Sequence, residues 1–274
     1  MKISNLMMAL LGTIPALAFG QLSDSTKRVL PVQGAVNFRD IGGYQTNDGK
    51  QVVWGKIFRS DAIDKLTDSD VALMDKKGIR TVVDLRGIAE AKSAPDRLVA
   101  NTDYTLSPAG SDSLPNANDM VKTLKQKDFL LTFYAEGVNY YGDRYRPAFI
   151  KLLGAGEGEA VMYHCTGGRD RTGMQTALIL YALGVPYQVI EADYLASNVY
   201  LARNKKMNAY TDAMVAATGI SKEQIEDQMK LKPELLQAFF GAIKTKYGSV
   251  EKFLLDEMAI GPKEIRILKT KYTR

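Results

Sequence analysis

Hydrophobic and polar positions change rhythm along this 274-residue chain, and the changes mark its elements. Gln51 to Arg59 predicts a strand, entered through the turn sequence Asn47-Asp48-Gly49. Asp68 to Lys77 has helical spacing, a cap at Thr67 or Asp68 and a stop at Gly78. Thr81-Val82-Val83-Asp84-Leu85 predicts a second strand and Asn101 to Leu106 a third. Phe129 to Tyr141 and Pro147 to Leu153 read as helices, the latter broken by Gly154-Ala155-Gly156, and Glu159 to His164 reads as a buried strand. Strands alternating with helices imply a parallel sheet covered by helices. From Tyr187 onward the pattern is helical almost throughout, punctuated at Pro186, Gly219, Pro233, Gly248 and Gly261. Leu235, Leu236, Phe239, Phe240 and Ile243 form a core-facing stripe in that region. The expected fold is therefore α/β: a central, mainly parallel sheet flanked by helices, with a helical C-terminal layer.

Two stretches break the pattern. Leu6 to Ala18 is almost wholly apolar, Lys2 is the only charge before it, and Ala18-Phe19-Gly20 offers a small-residue cleavage site ahead of Gln21. Residues 1–20 thus read as a secretory signal peptide, too short in its apolar part for the roughly 20 residues of a spanning helix. No cysteine stands directly after it, so a lipid anchor is not expected, and the mature chain is expected in a periplasm or outside the cell. Ser107 to Asn118, rich in Pro, Gly, Ser and Asn, is a loop, either surface decoration or a lid over a site. With no internal repeat and no long linker, one domain is expected over residues 25–274.

Composition narrows the chemistry. A hydrophobic fraction of 46% with 24% charged residues supports a large core and no stable membrane insertion. The formal charge of +5 becomes +4 once Lys2 leaves with the leader, a mild balance that favours anionic substrates. The chain lacks the dense Lys/Arg runs and aromatic-basic interleaving of nucleic-acid surfaces, so no nucleic-acid partner is expected. It has one cysteine and one histidine, and they are adjacent as His164 and Cys165. A lone cysteine cannot form an internal disulfide, so it is either a small buried hydrophobe or a thiol kept for chemistry. A single histidine rules out multi-histidine metal centres and zinc-protease helix pairs, and no metal or cofactor is expected.

Val161 to Gly173, followed by the apolar run Met174 to Leu183, reads as strand, tight loop and helix, with stop signals at Gly184 and Pro186. A loop containing Gly167 and Gly168 that ends at a helix N-terminus aims several backbone amides into its cradle, which makes an anion site. Cys165 opens the loop, and amides that hold an anion also favour a thiolate. Arg171, six positions on, returns with a planar fork that suits two oxygens of a phosphate. Thr166, Gly167, Gly168 and Arg169 lie between as candidate substrate-binding positions. Neighbours at a strand end point to opposite faces, so His164 is expected below the loop, bracing it, rather than beside the thiol as a base.

His-Cys-x-x-Gly-x-x-Arg-Thr, as His164 to Thr172, resembles the signature loop of protein tyrosine phosphatases. The longer string through Gly173 resembles an atypical bacterial branch that includes secreted tyrosine and phosphoinositide phosphatases. Asn37 to Tyr44, Phe58-Arg59-Ser60, and Asp84-Leu85-Arg86 with Glu90 resemble further motifs of that branch. Arg169 departs from it, standing where the branch usually has lysine. The resemblance implies metal-free transfer in two steps through a phosphocysteine: Cys165 attacks, Arg171 and the loop amides stabilise the oxygens, and the Thr172 hydroxyl bonds the sulfur. The general acid it implies is Asp170, with Asp143 as runner-up. Asp84 and Arg86 are expected as a structural ion pair, and Asn37 to Gly43 either as a glycine-dependent turn or as a substrate-facing segment. The substrates implied are phosphotyrosine proteins, extending to phosphoserine, phosphothreonine or phosphoinositides. An inositol-polyphosphate phosphatase and a rhodanese-like sulfurtransferase are the alternatives.

Overall fold

The computed structural model describes residues 25–110, 129–202 and 205–274. The expected leader over 1–20, and positions 111–118 of the possible lid, lie outside the described residues. Five strands form one sheet in the order β1-β2-β5-β3-β4, with β1 Arg39–Asp40, β2 Ile57–Ser60, β3 Ile79–Asp84, β4 Asp103–Leu106 and β5 Ala160–His164. Only β1 runs antiparallel; β2, β5, β3 and β4 are parallel, as the alternation of elements predicts.

Side chains of β5 alternate between two cores, which is how a central strand is buried on both faces. Val161 and Tyr163 join the larger core with Ile57 and Val83, while Ala160 and Met162 join the smaller one with Phe58 and Val82. The larger core lies under α3 Phe129–Tyr141, α4 Arg146–Gly154, α5 Asp170–Leu183, α9 Pro233–Tyr247 and α10 Val250–Met258. The stripe of Leu235, Leu236, Phe239, Phe240 and Ile243 is buried there, as expected. The smaller core lies under α1 Asp68–Lys76 through Met74 and under Phe38.

The caps explain the boundaries. Thr67 and Asp70 form a reciprocal capping box at the start of α1, and Asp70 also accepts the amides of Gln33 and Gly34, each at 3.0 Å. Gly78 ends α1 at φ +72°, where a β-carbon would meet the Gly158 carbonyl at 2.6 Å, so both conformation and space require glycine. The strand predicted over Gln51 to Arg59 is shorter than expected. Gln51 and Val52 make single bridges to Gln45 and Thr273, the chain turns at Gly55 with φ +76°, and pairing with the sheet begins at Ile57. A further element, α2 Ile88–Ser93, is one the sequence reading lacks; Glu90 reaches back to the Gly87 amide at 2.8 Å and so closes its first turn.

Beyond α5 come α6 Tyr187–Leu201, α7 Lys205–Thr218, α8 Lys222–Met229, α9, α10 and α11 Pro262–Tyr272. Helices α7 and α8 pack on each other around Met214 and Ile225, a small core of their own. Among the described residues no helix is long and apolar enough to cross a membrane.

Candidate active site

The strand–loop–helix unit forms where the sequence places it: β5 ends at His164, residues 165–169 turn, and α5 begins at Asp170. Because β5 is central, the turn emerges at the carboxyl ends of parallel strands, the usual ligand position of such sheets. Its neighbours on both sides hold it. Leu85, just past β3, donates its amide to the His164 carbonyl at 2.8 Å, and Ala62, just past β2, donates to the Thr166 carbonyl at 3.1 Å. Gly168 lies flat on the β2 side: at φ +60° its absent β-carbon would stand 2.5 Å from the Ser60 carbonyl oxygen and the Asp61 nitrogen. No other residue fits that contact.

Cys165 sits at the head of the turn with 2% of its surface exposed. Arg171, on the first turn of α5, is gripped end-on by Glu90, with Nη1 to Oε2 at 2.7 Å and Nη2 to Oε1 at 3.1 Å. Its Nη1 also reaches the Leu85 carbonyl at 3.3 Å. A guanidinium has five N–H groups, and these contacts account for both on Nη1 and one on Nη2. The pair left over, on Nε and Nη2, is the parallel side-on edge that matches two oxygens of a phosphate. Glu90 also accepts the Thr166 hydroxyl and the Gly87 amide. Burial works against a charge on Glu90, but Arg171, Thr166 and Gly87 outweigh it and hold the carboxyl down at about 2.

Asp170 has two donors fixed on it: Arg169 Nε at 2.9 Å on one oxygen and the Tyr134 hydroxyl at 2.9 Å on the other. Tyr134, from α3, is wholly buried and in turn accepts the Tyr194 hydroxyl at 2.8 Å. Burial, with Asp170 and Tyr194 alongside, raises the Tyr134 phenol well above its ordinary range, so it stays a donor at any working pH. Arg169 spends another donor on the Met229 carbonyl at the end of α8. Asp143 lies on a short 3-10 turn over Gly142–Tyr145, with 58% of its side chain exposed and Arg144 at 3.6 Å.

His164 is fully buried and lies below the turn, as expected. Its Nε2 faces Asp96 at 3.0 Å and Asp84 at 3.8 Å, and its Nδ1 faces the carbonyl of Cys165 at 3.4 Å. The expected Asp84–Arg86 pair is present at 2.7 Å, and the same Arg86 nitrogen also holds Asp96 at 2.7 Å. Asp84, Asp96 and His164 bring three ligand-type atoms within 4.8 Å, the spacing of a metal site. Arg86 already supplies the cation there, bonded to both carboxylates, which makes the group structural.

One implied contact is not formed. The Thr172 hydroxyl is completely buried and has no hydrogen-bond partner, so it does not bond the Cys165 sulfur.

A second network lies beneath the β2 side of the turn, and the sequence reading names only part of it. Arg39 and Arg59 share Asp193 of α6, at 3.3 Å and 2.8 Å, with every one of these side chains 1% exposed or less. Tyr44 donates to the same carboxylate at 2.8 Å. Burial opposes ionisation of Asp193, yet Arg39, Arg59 and Arg28 hold it far below the usual carboxylate range. Arg59 continues to the Gly168 carbonyl at 2.8 Å, where Asn37 joins it at 2.7 Å. The Asn37 to Gly43 motif contains the expected glycine-dependent turn at its end, where Gly43 has φ +83° and a β-carbon would meet the Trp54 ring at 2.1 Å; at its start Asn37 touches the Gly168 carbonyl, and Arg39–Asp40 forms β1. The available signal was two arginines in apolar segments, which need a buried counter-charge.

Comparison with known proteins places the chain in a family. Residues 30–274 match the sequence model of the tyrosine phosphatase family. A Mycobacterium tuberculosis protein named triple specificity protein phosphatase PtpB is 30% identical over 264 residues, covering 84% of this chain and 93% of its own. A Cupriavidus necator protein that bears a tyrosine-protein phosphatase name is 29% identical, covering 84% of each chain. A Nostoc commune tyrosine-protein phosphatase is 27% identical over 78% of this chain and 72% of its own. With the match running from Leu30 to the last residue and taking in every strand, the chain belongs to the tyrosine phosphatase family and is an enzyme of that class.

Proposed function

We propose that the enzyme hydrolyses phosphate monoesters of tyrosine in proteins through Cys165, by way of a phosphocysteine. The observation that carries this reading is the state of Arg171: Glu90 fixes it end-on, and its side-on edge remains for a ligand next to the turn that Cys165 opens. In the first step the thiolate sulfur attacks phosphorus, an S–P bond forms, and the P–O bond to the leaving group breaks. Asp170 hands its proton to the departing oxygen while Arg171 and the loop amides take up the charge on the equatorial oxygens. In the second step Asp170, now a carboxylate, takes a proton from water; the hydroxide forms a P–O bond, S–P breaks, and the thiolate returns with phosphate released.

Two features bear on the substrate. Arg169 is engaged by Asp170 and by the Met229 carbonyl, so it offers no loose charge to a second phosphate, which favours a monoester over a polyphosphorylated ring. The relative named for triple specificity supports a range wider than phosphotyrosine alone, with phosphoserine, phosphothreonine and phosphoinositides as the candidates. A rhodanese-like reaction has less support, because the paired Glu90–Arg171 clamp serves oxygens rather than a transferable sulfur.

The test is hydrolysis of p-nitrophenyl phosphate by the full chain with chelator present. Turnover is expected, and Cys165→Ser should abolish it with no loss of near-UV circular dichroism. A Cys165→Ser enzyme as active as the parent would remove the nucleophile from this reading.

A further inference from the structure

The Gly168 carbonyl receives two side-chain donors from behind, Asn37 Nδ2 at 2.7 Å and Arg59 Nη2 at 2.8 Å. In a trans peptide the C=O of one residue and the N–H of the next point in opposite directions. A Gly168 carbonyl tied to the β2 side therefore turns the Arg169 N–H the other way, toward the hollow of the turn. Thr166 repeats the arrangement: its carbonyl is held by the Ala62 amide on the same side, so the Gly167 N–H is turned inward as well. A helix N-terminus alone would leave these peptides free to flip, since Gly167 and Gly168 carry no side chain to resist rotation.

We infer that Asn37 is a positioning residue for the anion cradle: acting with Arg59 through the Gly168 carbonyl, it holds the Arg169 amide pointed at the oxygens of the bound phosphoryl group. This rests on the phosphatase reading of the site. Asn37 is itself locked from three directions. Its backbone amide donates to Asp61 at 3.1 Å, beside that of Val36 at 2.9 Å; its Oδ1 accepts Arg39; and it is 1% exposed. Of its polar side-chain atoms, only Nδ2 faces the loop. It touches neither sulfur nor substrate, so its effect must pass through the peptide plane.

The experiment compares wild type, Asn37→Ala and Asn37→Asp for kcat/KM on p-nitrophenyl phosphate, for inhibition by orthovanadate, and for Tm. Asn37→Asp keeps the shape and the oxygen that Arg39 uses but sets an acceptor against the Gly168 carbonyl and adds a charge beside Arg39, whereas Asn37→Ala removes the donor with no new charge. One misdirected amide should cost about tenfold or more in kcat/KM, and vanadate inhibition should weaken by a similar factor, since removal of one oxyanion donor costs roughly 10²–10³ and Arg59 still holds the carbonyl. Loss of thermal stability with vanadate affinity and kcat/KM within twofold of wild type would overturn the inference. Should either variant fail to fold, the wild-type protein decides: the Arg169 amide resonance must shift strongly on adding vanadate, and an unmoved resonance would sink the claim. An inactive wild-type enzyme, or an active Cys165→Ser, would count against the phosphatase reading instead.

Discussion

Two arginine–carboxylate pairs hold the turn, and they are built in opposite ways. Arg59–Asp193 is sealed, with side chains 0% and 1% exposed, and it meets the loop through a backbone carbonyl. Arg171–Glu90 is half open, with 32% of the Glu90 side chain in reach of solvent, and its guanidinium keeps an unused edge. A sealed pair is costly to assemble and costly to break, so it suits a part that must not move. An open pair can gain a third partner at little cost, which suits a part that meets a ligand. The difference separates the loop's scaffold from its working face.

The sharpest way to break this comparison is Asp193→Asn. It leaves Arg39 and Arg59 buried without their counter-charge, and the expected loss is about 3–5 kcal/mol of folding stability, read by urea denaturation. A variant within 1 kcal/mol or so of wild type would show that the sealed pair is not the anchor. Next in size is Asp170→Asn, which should slow aryl phosphates with poor leaving groups about 10²-fold while leaving activated ones nearly unchanged. A leaving-group series with the same slope as wild type would shift the acid to Asp143, despite its exposed position and its Arg144 neighbour.

The smallest expected effect is that of Glu90→Gln on stability, about 1–2 kcal/mol at neutral pH after allowance for solvent around the pair. Its pH dependence carries a definite sign. The Glu90 carboxyl is held at about 2 in the folded chain against an ordinary 4.5, so its contribution is complete above about 4.5 and is lost as pH falls through about 2. The gap between wild type and Glu90→Gln should accordingly be flat from pH 7 to 5 and close below that. A gap that widens on acidification would contradict the pairing.

What could be read from sequence follows from how local each feature is. Cys165, Arg171 and the glycines between them lie in one run, so their shared place on one strand–loop–helix unit was visible, as was the burial of β5. The Asp84–Arg86 pair was visible too, being two residues apart, but its extension to Asp96 and His164 was not. Asp193 shows why: α6 carries it among apolar and polar neighbours that read as an ordinary amphipathic helix, and nothing local distinguishes a fully buried aspartate from a solvated one. Tyr134 was hidden by the same mechanism, since an aromatic residue on a helix reads as core and its hydroxyl partner lies 36 positions away. The brevity of β2 had another cause. Gly55 turns the chain, and Asp40 takes its amide at 2.6 Å, a tertiary contact that no local pattern encodes.

The isolation of Cys165 has an outcome for the enzyme's lifetime. With no second sulfhydryl anywhere in the sequence, an oxidised Cys165 has no neighbour with which to close a protective disulfide. Once it reaches the sulfenic state, only an external thiol can bring it back before irreversible oxygenation. The same solitude makes bookkeeping simple at the bench: one equivalent of alkylating reagent consumed per chain reports the state of this one thiol directly.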